Sequence, residues 1–285
     1  MTTQSPETTT PPRSVLITGC SSGIGLTAAR TLRRRGWRVI GTARKPADLE
    51  RLAREEGIEV LPLELSDPAS IAACAAAALE LTGGRLTALY NNAATGLLGA
   101  VEDVPGDVLR RHLDIGVVGP QDLTRHIIPA MRANGTGRII ITSSVLGIVS
   151  GPYRGIYCAA KFALEAIGDA MRYELAGSGL SVSLLEPGPI RTQFLPTALD
   201  NFYAGIDMAH SPHRARYEER IAIMTSGHRE GDRRLGPEHV MPSVIHALES
   251  RWPRARYRIS WQTKAAAIGK RILPGALLDR ILMRM

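Results

Sequence analysis

The chain has 285 residues, room for one large α/β domain or two small ones. At 44% hydrophobic and 22% charged residues it is neither collagen-like, wholly disordered nor a disulfide scaffold. Its net charge of +8 resides entirely in residues 251–285, where nine bases face only Asp279, so the main body is neutral and nucleic-acid binding is not expected.

Residues 1–13, MTTQSPETTTPPR, lack the apolar core of a signal peptide and read as a disordered tail. Ser14-Val15-Leu16-Ile17-Thr18 is a β-branched and apolar run ended by a Gly/Ser cluster. Helix formers over 24–35 close at Gly36, the position of a C-cap. Strands are then expected at 37–42, 58–63, 86–90, 138–142 and 180–185. Helices are expected between them at 47–56, 68–81, 107–133 and 158–176. Strands alternating with long helices imply a parallel sheet covered on both faces. With no internal repeat and no linker, the expected architecture is one doubly wound, Rossmann-type α/β domain over residues 14–258.

Residues 191–235 break this rhythm, with Phe194, Phe202, Tyr203 and Met208 ahead of a charged run at 213–220. They are expected to be an irregular lid or pocket wall, a surface insertion being the plainer alternative. Residues 259–285 form a basic amphipathic tail, with a helix expected after Pro274 from Leu277, Leu278, Ile281 and Leu282. It suits packing on the body or across a dimer interface, or peripheral contact with an anionic membrane. No apolar run approaches the ~20 residues of a membrane span. Cys20, Cys74 and Cys158 have no metal-ligand spacing, so no metal is expected, and a reducing cytoplasm is the expected compartment.

Three local patterns carry chemistry. Thr18-Gly19-Cys20-Ser21-Ser22-Gly23-Ile24-Gly25 joins the first strand to the first helix. Glycines there allow a sharp turn and close ligand approach, and the helix N–H groups suit a pyrophosphate. The second strand ends in Gly41-Thr42-Ala43-Arg44-Lys45, without the acid that binds ribose hydroxyls. A base at this point accommodates a 2′-phosphate, so NADP is expected rather than NAD. Tyr157 and Lys161 are four apart and share one helix face. An ammonium beside a phenol is expected to lower the phenol pKa and make a general acid/base near neutral pH. Ser144 follows the strand at 138–142 and can face the same crevice.

From Val15 to about Arg258 the chain resembles the short-chain dehydrogenase/reductase superfamily. The turn at 18–25, Asn91-Asn92-Ala93, the Ser144, Tyr157 and Lys161 set, and Pro187-Gly188-Pro189-Ile190-Arg191-Thr192 carry the resemblance. Tyr157-Cys158-Ala159-Ala160-Lys161-Phe162 is similar in particular to the steroid and retinoid dehydrogenase branch. The resemblance implies that Tyr157 exchanges a proton with substrate, Lys161 supports it and holds the nicotinamide ribose, and Ser144 orients the substrate oxygen. It also implies cofactor contacts from Thr18, Gly19, Ser21, Ser22, Gly23, Ile24, Gly25, Arg44, Lys45, Glu64, Leu65, Asn91, Ala93, Pro187, Gly188, Ile190 and Thr192, with hydride passing directly to a lipophilic alcohol or ketone. A homo-oligomer, dimer or tetramer, is expected with it.

Glu64 stands where the family usually has Asp at the adenine, while Asp67, ahead of Pro68, suits a helix cap. Ala94 replaces a family Gly, and Gly116 stands where the family has a helix Asn. A cofactor-binding sensor or regulator with weakened or lost catalysis is therefore the second reading. An epimerase or dehydratase is a third, without a visible nucleotide-sugar pocket.

Overall fold

The structure is a computed structural model that describes residues 13–226 and 234–284. The expected N-terminal tail, Arg13 apart, and the 227–233 part of the expected lid lie outside the described residues. Seven strands form one parallel sheet: β1 (Ser14–Ile17), β2 (Arg38–Ala43), β3 (Glu59–Pro62), β4 (Ala88–Asn91), β5 (Gly137–Thr142), β6 (Leu180–Glu186) and β7 (Arg256–Arg258). Their order is β3-β2-β1-β4-β5-β6-β7. The order reverses between β1 and β4, which places a crevice beyond the carboxyl ends of those strands.

Helices cover both faces: α1 (Gly23–Arg34), α2 (Pro46–Arg51), α3 (Pro68–Leu81), α4 (Gly106–Leu113), α5 (Gly119–Ala133) and α6 (Gly155–Glu174). Every residue of β1 is buried, as a strand sandwiched between helix layers requires. One core layer gathers Leu32, Trp37, Tyr90, Val244 and Leu248. The opposite layer gathers Leu89, Leu123, Ile127, Ile139, Leu164 and Met171. Gly36, at φ +80°, ends α1 as its sequence position suggested. Its N–H reaches the Arg33 carbonyl at 2.9 Å, and Trp37 N–H reaches that of Leu32 at 3.0 Å. Asp67 caps α3 by accepting from Ala69 N–H at 2.9 Å.

The chain departs from its sequence pattern in three places. The helix expected over 107–133 is divided by a π turn at Asp114–Val118. Pro120 has no N–H for the Gly116 carbonyl four residues back, and its ring would strike that carbonyl. The ladder widens, with Gly119 N–H bonding to the Asp114 carbonyl. Second, the expected irregular segment contains two helices, α7 (Phe194–Gly205) and α8 (Arg214–Ser226). Phe202, Ile206 and Tyr217 pack with Ala100 into a satellite core, an apolar set too dispersed along the chain to show as a period. Third, the tail after 258 holds a helix ahead of Pro274 as well as one after it. After β7, α10 (Trp261–Ile272) is capped by Ser260 and buries Thr263 and Ala267 against the body. The helix after Pro274 is present as α11 (Gly275–Leu282), with no buried residue.

A helix at Met241–Glu249, α9, had no sequence assignment. Its last residue, Glu249, accepts from Trp37 Nε1 and Arg35 Nε at 3.0 Å. The Arg35 guanidinium, with Trp37, holds this carboxyl down at about 2 despite its burial.

Candidate active site

The turn after β1 is shaped by what a side chain would hit. Gly19 has φ +71°, and a Cβ there would stand 2.9 Å from Ala93 Cα. A Cβ on Gly25 would overlap the Gly19 carbonyl oxygen and come within 2.6 Å of Asn92 Nδ2. Thr18 Oγ1 accepts from the N–H groups of both Asn92 and Ala93 at 2.9 Å. Asn92 Nδ2 returns a bond to the Thr18 carbonyl at 3.0 Å, tying the ends of β1 and β4 together. Asn91 Nδ2 bonds Thr124 Oγ1 at 2.7 Å. Ala94 is exposed, so its methyl has room.

Ser22 precedes α1 with no side-chain cap, and the first helical turn has no acid. The N–H groups of that turn therefore remain available for an anion beside Ser21, Gly23 and Ile24. From the other side, Thr192 approaches within 3.1 Å of where a Gly23 Cβ would lie. The Pro187 carbonyl accepts from Val145 N–H at 2.9 Å. Gly188 abuts Ser260, and Ile190 packs into the first core layer. The segment from Pro187 to Thr192 thus spans the crevice between the glycine turn and the end of β5. These groups suit the pyrophosphate and nicotinamide ends of a dinucleotide.

At the end of β2, Arg44 is exposed and stands 3.8 Å from Glu64 Oε2, with Lys45 beside it at the start of α2. Glu64 is engaged locally, accepting from the Ser66 N–H and hydroxyl at 3.1 and 2.8 Å. Leu65 is buried with its carbonyl against Gly119. Arg51 carried no sequence signal. Its Nη2 donates to the Ser21 carbonyl at 2.6 Å and braces the glycine turn from outside.

Ser144, Tyr157 and Lys161 converge beyond β5. Ser144 opens a 3₁₀ turn, accepting from Leu146 N–H at 3.1 Å. Because α6 starts at Gly155, three residues earlier than the pattern indicated, Tyr157 and Lys161 lie in its first two turns. Lys161 is 3% exposed. Its Nζ donates to the Thr142 carbonyl at 2.8 Å and lies 5.7 Å from the Tyr157 ring centroid.

The expected lowering of the phenol pKa does not occur. Burial pushes Tyr157 up to about 12, with the Ser144 hydroxyl pulling the other way. Burial likewise brings Lys161 down to about 8, opposed by Glu165. Desolvation acts on both groups and favours their neutral forms, while the lysine nitrogen is drawn to Thr142. Of two ring neighbours of Tyr157, His112 was missed in the sequence and Phe194 was read only as part of a lid or pocket wall. The His112 ring from α4 meets it edge-on at 6.3 Å between centroids, and Phe194 from α7 does so at 5.2 Å. Neither belongs to a local motif, since both arrive from distant positions in the chain.

Comparison with known proteins agrees with this fold. Residues 13–201 match the family described as short chain dehydrogenase. An uncharacterized oxidoreductase of Escherichia coli K12, YbbO, is 40% identical over 95% of this chain and 94% of its own. Human 17-beta-hydroxysteroid dehydrogenase type 1 is 34% identical over 85% of this chain and 76% of its own. Human retinol dehydrogenase 5 is 31% identical over 94% and 87%, respectively. With a parallel dinucleotide-type sheet, a glycine turn at its first helix and a Ser, Tyr and Lys set in its crevice, the chain belongs to the short-chain dehydrogenase family, a nicotinamide-dependent oxidoreductase acting on CH–OH groups.

Proposed function

We propose that the chain is an NADP-dependent oxidoreductase that interconverts a lipophilic secondary alcohol and its ketone, with Tyr157 as the general acid/base. The observation that carries this reading is the convergence of Ser144, Tyr157 and Lys161 at the mouth of the crevice. The bound nicotinamide supplies or accepts the hydride. A phenol held near 12 is protonated at neutral pH and so suits donation to a developing alkoxide. Ser144 orients the substrate oxygen. Lys161 stabilises charge on Tyr157 and holds the nicotinamide ribose.

The turn from Gly19 to Gly25 cradles the pyrophosphate, and Arg44 with Lys45 takes the 2′-phosphate where an NAD enzyme would place an acid. On one side Tyr157 packs against a buried apolar cluster of Val145, Leu146, Val149 and Cys158, which supports a lipophilic substrate. The described part of the 191–235 segment, with α7 and α8, acts as the lid, and Phe194 meets Tyr157 edge-on. The intact Ser144, Tyr157 and Lys161 set supports retained catalysis over a sensor with lost catalysis. Replacing Tyr157 by Phe is expected to lower kcat by about 10³-fold or more while NADPH still binds. Undiminished turnover of a good substrate would remove the assignment.

The exposed residues Trp261, Ile268, Ile272, Leu277, Ile281 and Met283 share α10, α11 and their end with Lys264, Lys270, Arg271, Arg280 and Arg284. This basic and apolar surface supports peripheral contact with anionic lipid. No helix among the described residues is long and apolar enough to cross a membrane. Ile272→Asp combined with Ile281→Asp is expected to reduce co-sedimentation with phosphatidylserine vesicles severalfold, and equal partitioning would exclude the contact. Free, buried Cys20, Cys74 and Cys158 fit a cytoplasmic setting. The resemblance also supports a dimer or tetramer.

A further inference from the structure

His112 is the one buried polar ring at the catalytic tyrosine that the reading above leaves without a task. It sits in the last turns of α4, one helical turn before Gly116, and is only 5% exposed. A Cβ on Gly116 would meet Ala160 of α6 at 3.4 Å, so this face of the α4–α5 helix looks onto α6. One turn earlier along the same face, the imidazole meets the Tyr157 ring.

Buried polar side chains are almost always hydrogen-bonded. Here Nε2 is fully enclosed without a partner, and neither ring nitrogen makes a hydrogen bond among the described residues. Burial, with the Lys161 charge nearby, brings the pKa down to about 4, so the ring is neutral at working pH. A neutral imidazole presents one donor and one acceptor. An apolar side chain of similar size would fill the same space without leaving an enclosed nitrogen unmatched.

Resting on the oxidoreductase reading, we propose that His112 is a specificity-determining residue that hydrogen-bonds a second oxygen of the substrate, borne on a carbon adjacent to the one that reacts. Tyr157 holds the reacting oxygen, and the imidazole stands beside the same ring, so the two groups address neighbouring positions of one bound molecule. Phe194 covers Tyr157 from another direction and offers no polar atom. The ligand class is therefore a lipophilic α-hydroxyketone, or the corresponding vicinal diol in the oxidative direction. Binding gives the ring a partner it lacks in the protein alone, and a plain ketone leaves it unmatched.

The test compares acetophenone with α-hydroxyacetophenone under saturating NADPH, in the wild type, His112→Leu and His112→Gln. The wild type is expected to favour the hydroxyketone in kcat/KM by about tenfold or more, as for a site built to bond a substrate hydroxyl. His112→Leu is expected to remove that preference, chiefly through KM. His112→Gln, whose amide keeps a donor and an acceptor, is expected to restore part of it. Thermal melting identifies a leucine variant that fails to fold, and the glutamine variant then decides the matter by its preference ratio. Equal preference in all three proteins would overturn the assignment of His112 while leaving the oxidoreductase reading intact. An equal shift of the pH–rate profile for both ketones, without a change in preference, would place His112 in proton transfer and also overturn it. Reduction of neither ketone by the wild type would count against the reductase reading and the inference together.

Discussion

The two sides of the crevice are built from different materials. The proposed cofactor side is mostly backbone: Gly19 and Gly25 clear space, the uncapped start of α1 offers N–H groups, and Thr18 with Asn92 locks the turn to β4. The proposed substrate side is mostly side chain, with His112 from α4 and Phe194 from α7 meeting the Tyr157 ring and apolar residues after Ser144 packed against it. A phosphate is the same in every dinucleotide and can be met by invariant backbone geometry. A substrate surface varies and must be met by residues free to differ. Tyr157 and Lys161 lie where the two sides join.

The difference can be broken at one residue on the cofactor side. Gly25→Val would drive a side chain into the Gly19 carbonyl and Asn92, and overpacking of this kind costs about 1–3 kcal/mol. Its expected effect is roughly a hundredfold weaker NADPH and NADH binding alike, read by fluorescence titration. Binding within twofold of wild type would show that the turn tolerates a side chain. Arg44→Ala sharpens the contrast within that side. Loss of a charge-assisted bond should weaken NADPH by about tenfold and leave NADH nearly unchanged. Equal loss of both would refute the cofactor assignment.

The smallest expected effect lies away from either wall. Glu249 ties α9 to the turn between α1 and β2, and its carboxyl is held at about 2 against an ordinary 4.5. A depressed acid contributes stability above its unfolded pKa and loses it as pH falls through the folded one. Glu249→Gln is therefore expected to cost about 1 kcal/mol at neutral pH, with the solvent-facing side of Arg35 limiting the value. The difference from wild type should shrink between pH 4.5 and about 2 in denaturant melts. A difference independent of pH would assign the cost to packing instead.

The legible parts of the molecule were those whose signal is local. Buried parallel strands read as continuous apolar runs, Gly36 marked the end of α1, and Asp67 before Pro68 marked the start of α3. The Ser144, Tyr157 and Lys161 set was visible because helix periodicity and a strand end place them together. The π turn was also encoded locally, by Pro120 four residues after Gly116, yet the longer apolar pattern around it masked the interruption. Helices α7 and α8 escaped because Phe202, Ile206 and Tyr217 find their partners in Ala100 and Val104, about a hundred residues away in sequence.

The sequence by itself determined the strands β1 to β6 and the helices between them, the glycine turn and the Tyr157 and Lys161 spacing behind the proposed acid/base, since each depends on neighbours within a few residues. The protonation of that group was decided only by the tertiary structure. An ammonium four residues along a helix suggested a lowered phenol pKa, but burial of Tyr157 raised it and burial of Lys161 lowered its own. Desolvation depends on everything packed around a group, and no spacing along the chain records it. For the same reason only the folded chain brings the unmatched imidazole of His112 against Tyr157.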